Sequence, residues 1–258
     1  MQNQKGFVFY SPVIRDSFVI SLQLPEEYQN NTMKSYPVVY LTDANFHFSM
    51  LAATLKQYEK NGLLPPLILV GVGYKSYELM DSLGVRDYMY PAALPSDEMN
   101  AVGGGRRFDS FIVNQLMPYI DSTYHTDKAN RTLLGHSFGG YFSLLALLDQ
   151  IETKRNDFKN FVSASPSLWY NDFYLNQLPG KLKELNNKDS IKVFLSVGGL
   201  EDSTWNVSPV KTFAKQIEHA GPGHFQFQCR IYNDLEHMDV AQLSFVKGLQ
   251  QFYNHKNN

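Results

Sequence analysis

The pattern of apolar and polar positions predicts a sheet built from two kinds of strand. Over residues 6–24 apolar side chains alternate with others, most clearly from Phe18 onward, so we expect an antiparallel pair of strands there. Residues 37–41 and 67–72 are apolar without alternation, as strands of a parallel sheet covered on both faces usually are. Further strands are predicted at residues 133–134, 161–164, 191–197 and 225–231.

Helical spacing of apolar residues follows most of these strands. The runs that begin at Leu51, Val210 and Val240 place apolar side chains at intervals of three and four. Strands that alternate with helices predict an α/β fold with a mostly parallel central sheet, helices on both faces and antiparallel N-terminal strands. Residues 74–106 show little periodicity and are expected to form a long loop. No repeat or linker divides the chain, which predicts one domain over residues 1–258.

Composition removes several classes of function. The chain has 258 residues, a formal net charge of −2 at pH 7 and no basic run, which argues against nucleic acid as a partner. Cys229 is the only cysteine, so neither an intrachain disulfide nor a cysteine-based zinc site is expected. No segment reaches the ~18 apolar residues needed to cross a membrane, and no hydrophobic signal region is seen near the start. We therefore expect a cytoplasmic protein, or a periplasmic or secreted one if a signal peptide has been removed.

A glycine-flanked serine is the strongest chemical signal in the sequence. Residues 135–139 read Gly-His-Ser-Phe-Gly, with an apolar strand before them and an apolar helix after them. This G-x-S-x-G pattern is typical of a sharp strand-to-helix turn that presents a serine hydroxyl as a nucleophile. We expect Ser137 to be that nucleophile, to begin the helix, and to adopt a sparsely populated backbone conformation. His136 must point away from the Ser137 side chain, so we expect it to support the turn.

A serine nucleophile needs a base and an acid. Of the seven histidines, His237 alone follows a predicted strand and precedes the last helix, so we expect it to take the serine proton. A carboxylate would hold the far nitrogen of its ring. We favour Glu201 because it follows a strand, and the order serine, acid, histidine is that of α/β-hydrolases. The sequence leaves other possibilities open, namely a serine–histidine pair without an acid, or Asp202, Asp234 or Glu236 as the acid.

An oxyanion hole needs two backbone N–H groups aimed at the carbonyl oxygen of the substrate. The first is expected from Phe138, directly after the nucleophile. The second is expected from the turn after the strand at residues 37–41, at Ala44 or Asn45.

The chain resembles the esterase D-like family of α/β-hydrolases, and most closely its branch of siderophore trilactone esterases for enterobactin and bacillibactin. The stretches that carry the resemblance extend over nearly the whole chain: residues 38–45, 86–88, 103–108, 118–121, 135–140, 163–169, 198–201 and His237. The resemblance implies Ser137 as nucleophile, His237 as base and Glu201 as acid. It also places Ala44 where the family often has glycine. Trp169 matches the aromatic of a Ser-Pro-Ser-Leu-Trp loop, where it either walls the acyl or aryl pocket or packs in the core.

Together these observations predict a serine carboxylic-ester hydrolase that forms an acyl-enzyme, needs no cofactor or metal, and acts on a small-molecule ester. A siderophore trilactone is a candidate substrate. Ferric catecholate siderophores are anionic, so Arg86, Arg106 and Arg107 are candidate contacts, with solvation or salt bridges as their alternative role. Trp169, Asn45 and Arg107 are the predicted substrate-binding residues. An acyltransferase with the same residues and a non-catalytic binding module remain alternatives, and the oligomeric state is not predicted.

Overall fold

One mixed sheet of eight strands organises the protein. The computed structural model describes residues 4–30, 33–185 and 190–253. The strand order is β1-β2-β4-β3-β5-β6-β7-β8, with β1, β2 and β4 paired antiparallel and the other neighbours parallel. The strands are β1 (Gln4–Ser11), β2 (Asp16–Gln23), β3 (Tyr36–Leu41), β4 (Ile68–Gly73), β5 (Thr126–His136), β6 (Asn160–Ala164), β7 (Lys192–Gly198) and β8 (Gln226–Tyr232). The predicted fold class is confirmed, while the single domain over residues 1–258, which includes residues outside these ranges, stays a prediction.

Helices cover both faces of the sheet. Those in the described residues are α1 (Ala44–Lys60), α2 (Met80–Tyr88), α3 (Gly105–Phe111), α4 (Met117–Thr123), α5 (Phe138–Glu152), α6 (Tyr170–Phe173), α7 (Leu178–Lys181), α8 (Ser208–Glu218) and α9 (Val240–Tyr253). A π-helical turn, Ile112–Leu116, joins α3 to α4. The helices α1 and α9 pack together on one face, and the larger core on the other face includes α5 and α8. None of the described helices has the length and apolar composition needed to span a bilayer.

The burial of the strands follows the apolar patterns of the sequence. Phe18, Ile20 and Leu22 of β2 are fully buried, whereas the alternate residues Val19 and Ser21 are partly exposed. Every residue of β4 is buried, as expected of a strand with a core on each face. The two patterns therefore correctly distinguish β2, which has one partly exposed face, from β4, which is buried on both faces and pairs antiparallel with β2 and parallel with β3.

The prediction of a loop over residues 74–106 is wrong in part. Residues Met80–Tyr88 form α2, and the helix predicted from Phe108 begins at Gly105. The buried positions of α2 are Gly84, Asp87 and Tyr88. A buried face that contains a glycine and a carboxylate has no apolar periodicity, which is why the sequence pattern did not indicate a helix.

Candidate active site

Ser137 occupies a strained turn between β5 and α5. Its backbone angles are φ 56° and ψ −118°, a conformation that costs a non-glycine residue about 1–3 kcal/mol. A Cβ on Gly135 would collide with the carbonyl oxygen of Gly139, so the close approach of the two backbones requires glycine there. The Ser137 N–H donates to the carbonyl oxygen of Ala164 at 3.0 Å. The prediction that the helix begins at Ser137 is wrong by one residue. The helix begins at Phe138, because the backbone angles of Ser137 are not helical.

Glu201 lies beside the imidazole of His237. The Glu201 Oε2 atom is 2.7 Å from Nδ1 of His237 and accepts a second bond from Nδ2 of Asn206 at 2.9 Å. Its other oxygen, Oε1, accepts from the backbone N–H of Gly198 at 2.6 Å and from the hydroxyl of Ser165. Sequence reasoning found Glu201 and His237 but gave no sign of the three donors that hold the carboxylate.

These contacts determine the charge of the carboxylate and the tautomer of the ring. Burial raises the pKa of Glu201, but the hydrogen bonds from His237, Ser165 and Gly198 outweigh it and bring the pKa below its ordinary value. An ionised carboxylate can only accept, so Nδ1 of His237 must carry the proton. The neutral ring therefore has its lone pair on Nε2, the atom a general base would use.

The other candidate acids have different surroundings. Asp202 Oδ1 accepts from the backbone N–H groups of Thr204 and Trp205, both at 2.8 Å, so this carboxylate caps the helical turn that follows. Asp234 and Glu236 are exposed. Glu201 is the only one of the four that the structure brings against the His237 ring in the described part of the chain.

Two buried histidines form a row that ends at His237: His136 contacts His237, and His47 contacts His136. The Nε2 atom of His136 is 2.8 Å from the backbone carbonyl oxygen of His237, and the two rings are 4.5 Å apart. His47, which sequence reasoning missed, packs edge-on against His136 with ring centroids 5.5 Å apart. Burial lowers the pKa of His136 to about 3, with the neighbouring His237 and His47 adding to the effect, and burial alone lowers that of His47 to about 4. Both rings are therefore neutral near pH 7.

The two predicted oxyanion donors begin two helices. Phe138 is the first residue of α5 and Ala44 the first residue of α1, so neither N–H has an acceptor four residues earlier within its own helix. The two turns are in contact, because a Cβ on Gly139 would collide with the Thr42 hydroxyl and lie 2.8 Å from Oδ2 of Asp43. The arrangement brings two helix N-termini together beside Ser137.

The predicted substrate-binding residues differ in how they are engaged. Trp169 is half-buried and packs partly against the core. The Asn45 side chain bridges to the backbone of Tyr74, accepting from its N–H at 2.6 Å and donating to its carbonyl at 2.7 Å. Asn45 thus ties the start of α1 to the end of β4, a structural use that the sequence did not predict. Arg107 is exposed, and no ion pair involves it among the described residues.

Two of the three candidate arginines are held in salt bridges. Arg86 pairs with Asp16 and Asp87, at 2.7 and 2.8 Å. Arg106 pairs with Glu152 at 2.6 Å and with Asp149 at 3.3 Å. For both arginines these contacts agree with the alternative role in salt bridges rather than with a role in substrate binding.

Nothing in the described residues resembles a metal centre. Within residues 4–30, 33–185 and 190–253, no three side chains of histidine, cysteine, aspartate or glutamate are grouped so that they could hold an ion. Cys229 is half-buried on β8, and burial raises the pKa of its thiol to about 11.

The sheet order, the antiparallel N-terminal strands and the serine turn after β5 define an α/β-hydrolase fold. The family model described as "Putative esterase" matches residues 11–234, and the chain belongs to this family. Among solved structures, the BES protein from Bacillus cereus superposes with a TM-score of 0.85 at 27% identity, covering 97% of this chain and 94% of that one. The siderophore hydrolase EstA from Aspergillus nidulans has a TM-score of 0.82 at 18% identity over 97% and 94% of the two chains, a likeness of fold alone.

Two curated relatives are esterases of siderophores by name. The ferri-bacillibactin esterase BesA of Bacillus subtilis (strain 168) is 35% identical over 179 residues, which cover 64% of this chain and 60% of that protein. The siderophore enterobactin esterase of Emericella nidulans is 31% identical over 154 residues, covering 54% of this chain and 48% of that protein. The matches thus span about half to three fifths of the length of these relatives.

Proposed function

We propose that this protein is a serine carboxylic-ester hydrolase with Ser137 as nucleophile, His237 as general base and Glu201 as the acid that orients the base. The observation that carries the proposal is the 2.7 Å contact between Glu201 and His237, on loops that follow β7 and β8, at the same sheet edge as the strained Ser137. Membership of the esterase family supports the same reaction class.

The proposed reaction has two halves. Nε2 of His237 takes the hydroxyl proton as Ser137 Oγ attacks the ester carbonyl carbon. The N–H groups of Phe138 and Ala44 stabilise the negative charge that develops on the carbonyl oxygen. The carbon–oxygen bond to the alcohol then breaks, and the alcohol leaves with the proton from His237. A water molecule, deprotonated by the same nitrogen, attacks the acyl-enzyme and releases the carboxylic acid with free Ser137.

The direct test compares the wild type with Ser137→Ala on p-nitrophenyl acetate and butyrate. We expect the variant to lose at least about 10³-fold in kcat/KM while its circular dichroism spectrum stays unchanged. A fluorophosphonate should add to Ser137 of the wild type, as located by peptide mass spectrometry, and leave Ser137→Ala unmodified. Equal hydrolysis by the two proteins would reject the proposal.

We further propose a siderophore trilactone as the natural small-molecule substrate. The names of the curated relatives support this substrate class. With Arg86 and Arg106 held in salt bridges, Arg107 is the arginine we assign to an anionic substrate. The kcat/KM for hydrolysis of an enterobactin-type trilactone should exceed that for aryl acetates. Arg107→Gln should raise KM for the ferric complex of the trilactone and leave KM for aryl acetates unchanged. No preference for the trilactone would reject this substrate while leaving the esterase proposal intact.

The cytoplasmic location stays a prediction from the sequence.

A further inference from the structure

The residue before the proposed oxyanion donor Ala44 has an unusual backbone. Asp43 has φ 51° and ψ 42°, the left-handed conformation that residues other than glycine, asparagine and aspartate seldom adopt. The ψ angle of residue 43 sets the plane of the peptide that joins it to residue 44, and hence the direction of the Ala44 N–H. A small rotation at Asp43 would therefore swing this donor away from the oxygen it is proposed to stabilise.

The Asp43 side chain does not cap α1, although its position directly before this helix predicts that it would. Aspartate before the first helical residue usually accepts a bond from an N–H of the first turn, yet Asp43 makes no such cap to α1. Its Oδ1 instead accepts the hydroxyl of Tyr88 at 3.0 Å, and its own N–H donates to the same phenol oxygen at 3.3 Å. One hydroxyl thus holds both the backbone and the side chain of Asp43.

Tyr88 is a rigid support for this clamp. Its side chain is 1% exposed, at the end of α2. The ring packs edge-on against Phe108, with centroids 5.2 Å apart, and in a tilted arrangement against Phe142 of α5, with centroids 5.7 Å apart. Because α5 begins directly after Ser137, Tyr88 sets the turn at Asp43 against the helix that follows the nucleophile. A residue held by core packing in this way loses little entropy when it orients a partner.

We propose that Tyr88 is a positioning residue for catalysis, whose hydroxyl clamps Asp43 so that the Ala44 N–H points at the developing oxyanion. This inference rests on the proposed ester hydrolase function. Tyr88 touches no reacting atom, so its effect should appear in the transition state and not in the binding of the ground-state ester.

The test removes the hydroxyl and keeps the ring. Tyr88→Phe should lower kcat for p-nitrophenyl acetate about 10- to 100-fold, with KM changed less than twofold, because a misplaced donor loses most of its effect. A trifluoromethyl ketone, which Ser137 would convert to a charged hemiketal, should bind weaker in proportion to the loss in kcat/KM. The matched control is Tyr253→Phe. Its hydroxyl lies 2.8 Å from the Thr132 hydroxyl and forms no bond to Tyr88 or Asp43, so this variant also loses a tyrosine hydroxyl bond but leaves the clamp intact.

Tyr253→Phe should keep kcat within twofold even if its melting temperature falls as far as that of Tyr88→Phe. If Tyr88→Phe fails to fold, the pair Asp43→Ala and Asp43→Asn replaces it. Asparagine tolerates the left-handed conformation and still accepts the Tyr88 hydroxyl, so it should recover at least about tenfold in kcat over alanine.

The possible results separate this inference from the function on which it rests. Equal loss of kcat in the two tyrosine variants, or a rise in KM with kcat unchanged, would overturn the clamp. So would equal activity of the two Asp43 variants. Wild-type hydrolysis no faster than that of Ser137→Ala would instead remove the ester hydrolase function and the clamp together.

Discussion

The Nε2 atom of His136 lies 2.8 Å from the backbone carbonyl oxygen of His237, so the residue before the proposed nucleophile supports the loop that carries the proposed base. The carbonyl oxygen can only accept, and burial lowers the pKa of His136 to about 3. The ring is therefore neutral above pH 4, with its proton on Nε2. The contact joins the end of β5 to the loop after β8, and these two strands do not pair in the sheet.

Replacing His136 tests whether this bond holds the His237 loop. His136→Leu leaves the carbonyl without its donor, so we expect the free energy of unfolding to fall by about 1–3 kcal/mol and kcat to fall about tenfold as His237 loses its fixed position. His136→Gln keeps an N–H at a similar reach and should restore part of both losses. Urea unfolding and steady-state kinetics measure the two effects. Equal losses in both variants would instead assign the effect to packing of the ring.

The neighbours Glu201 and Asp202 should separate cleanly by mutation. Glu201→Gln offers the His237 ring an amide and favours the wrong tautomer, so kcat should fall about 10⁴-fold. Asp202→Ala removes a helix cap, so it should keep kcat within twofold and lower the free energy of unfolding by about 0.5–2 kcal/mol. Kinetics with p-nitrophenyl esters and urea titrations check both. A large loss of kcat in Asp202→Ala would reopen the choice of acid.

The half-buried carboxyl of Asp43 should make stability depend on pH. Desolvation raises the pKa of Asp43 from 3.8 to about 7, although bonds from Tyr88 and Thr42 oppose the rise. The folded protein therefore binds a proton more tightly than the unfolded chain. The stability that this tighter proton binding contributes is fully present below about pH 4 and is lost as the pH rises through 7. The side chain of Asp43→Asn cannot titrate. The free energy of unfolding of this variant should therefore rise relative to that of the wild type by about 1 kcal/mol per pH unit between pH 5 and 7. A constant difference from pH 5 to 8 would contradict the raised pKa.

A methyl group at Gly139 should disturb the contact between the two helix N-termini. It would collide with Thr42 and press on Oδ2 of Asp43, so Gly139→Ala should lower kcat at least about tenfold. Gly180→Ala in α7 is the matched control, since a Cβ there meets nothing within 4 Å. It should leave kcat unchanged and raise the melting temperature slightly, because alanine favours helix over glycine. Full activity in Gly139→Ala would show that the turn tolerates the displacement.

Backbone strain at Ser137 should be measurable as stability. Glycine adopts φ 56° without the penalty that a Cβ brings. The free energy of unfolding of Ser137→Gly should therefore be about 1–3 kcal/mol higher than that of Ser137→Ala. Both variants lack the hydroxyl, so their difference isolates the conformation. Flexibility that glycine adds to the unfolded chain offsets part of the gain, by about 0.4–1 kcal/mol. A glycine variant less stable than the alanine variant would mean that the strain is small.

How far the sequence could predict the site depended on the range of the contacts involved. Local rules placed Ser137 at a strand–helix turn and His237 between the last strand and the last helix. The choice of Glu201 over Asp202 also came from the sequence, but only as a preference. The bonds that favour Glu201 come from Gly198, Ser165 and Asn206. The neighbouring carboxylate turns the other way to cap a helix, which residue order alone does not reveal.

The sequence by itself determined the alternation of strands and helices, the contrast between β2 and β4, and the serine turn. These features depend on apolar periodicity and on glycines that permit close backbone approach, both of which are local. Tertiary structure alone decided that α2 is a helix, that Asn45 ties α1 to β4, and that Tyr88 holds Asp43. The reason is that none of these features follows from local apolar periodicity: α2 buries a glycine and a carboxylate, and the other two are hydrogen bonds between residues 29 and 45 positions apart. Their bonds form only after the sheet has brought its strand ends together.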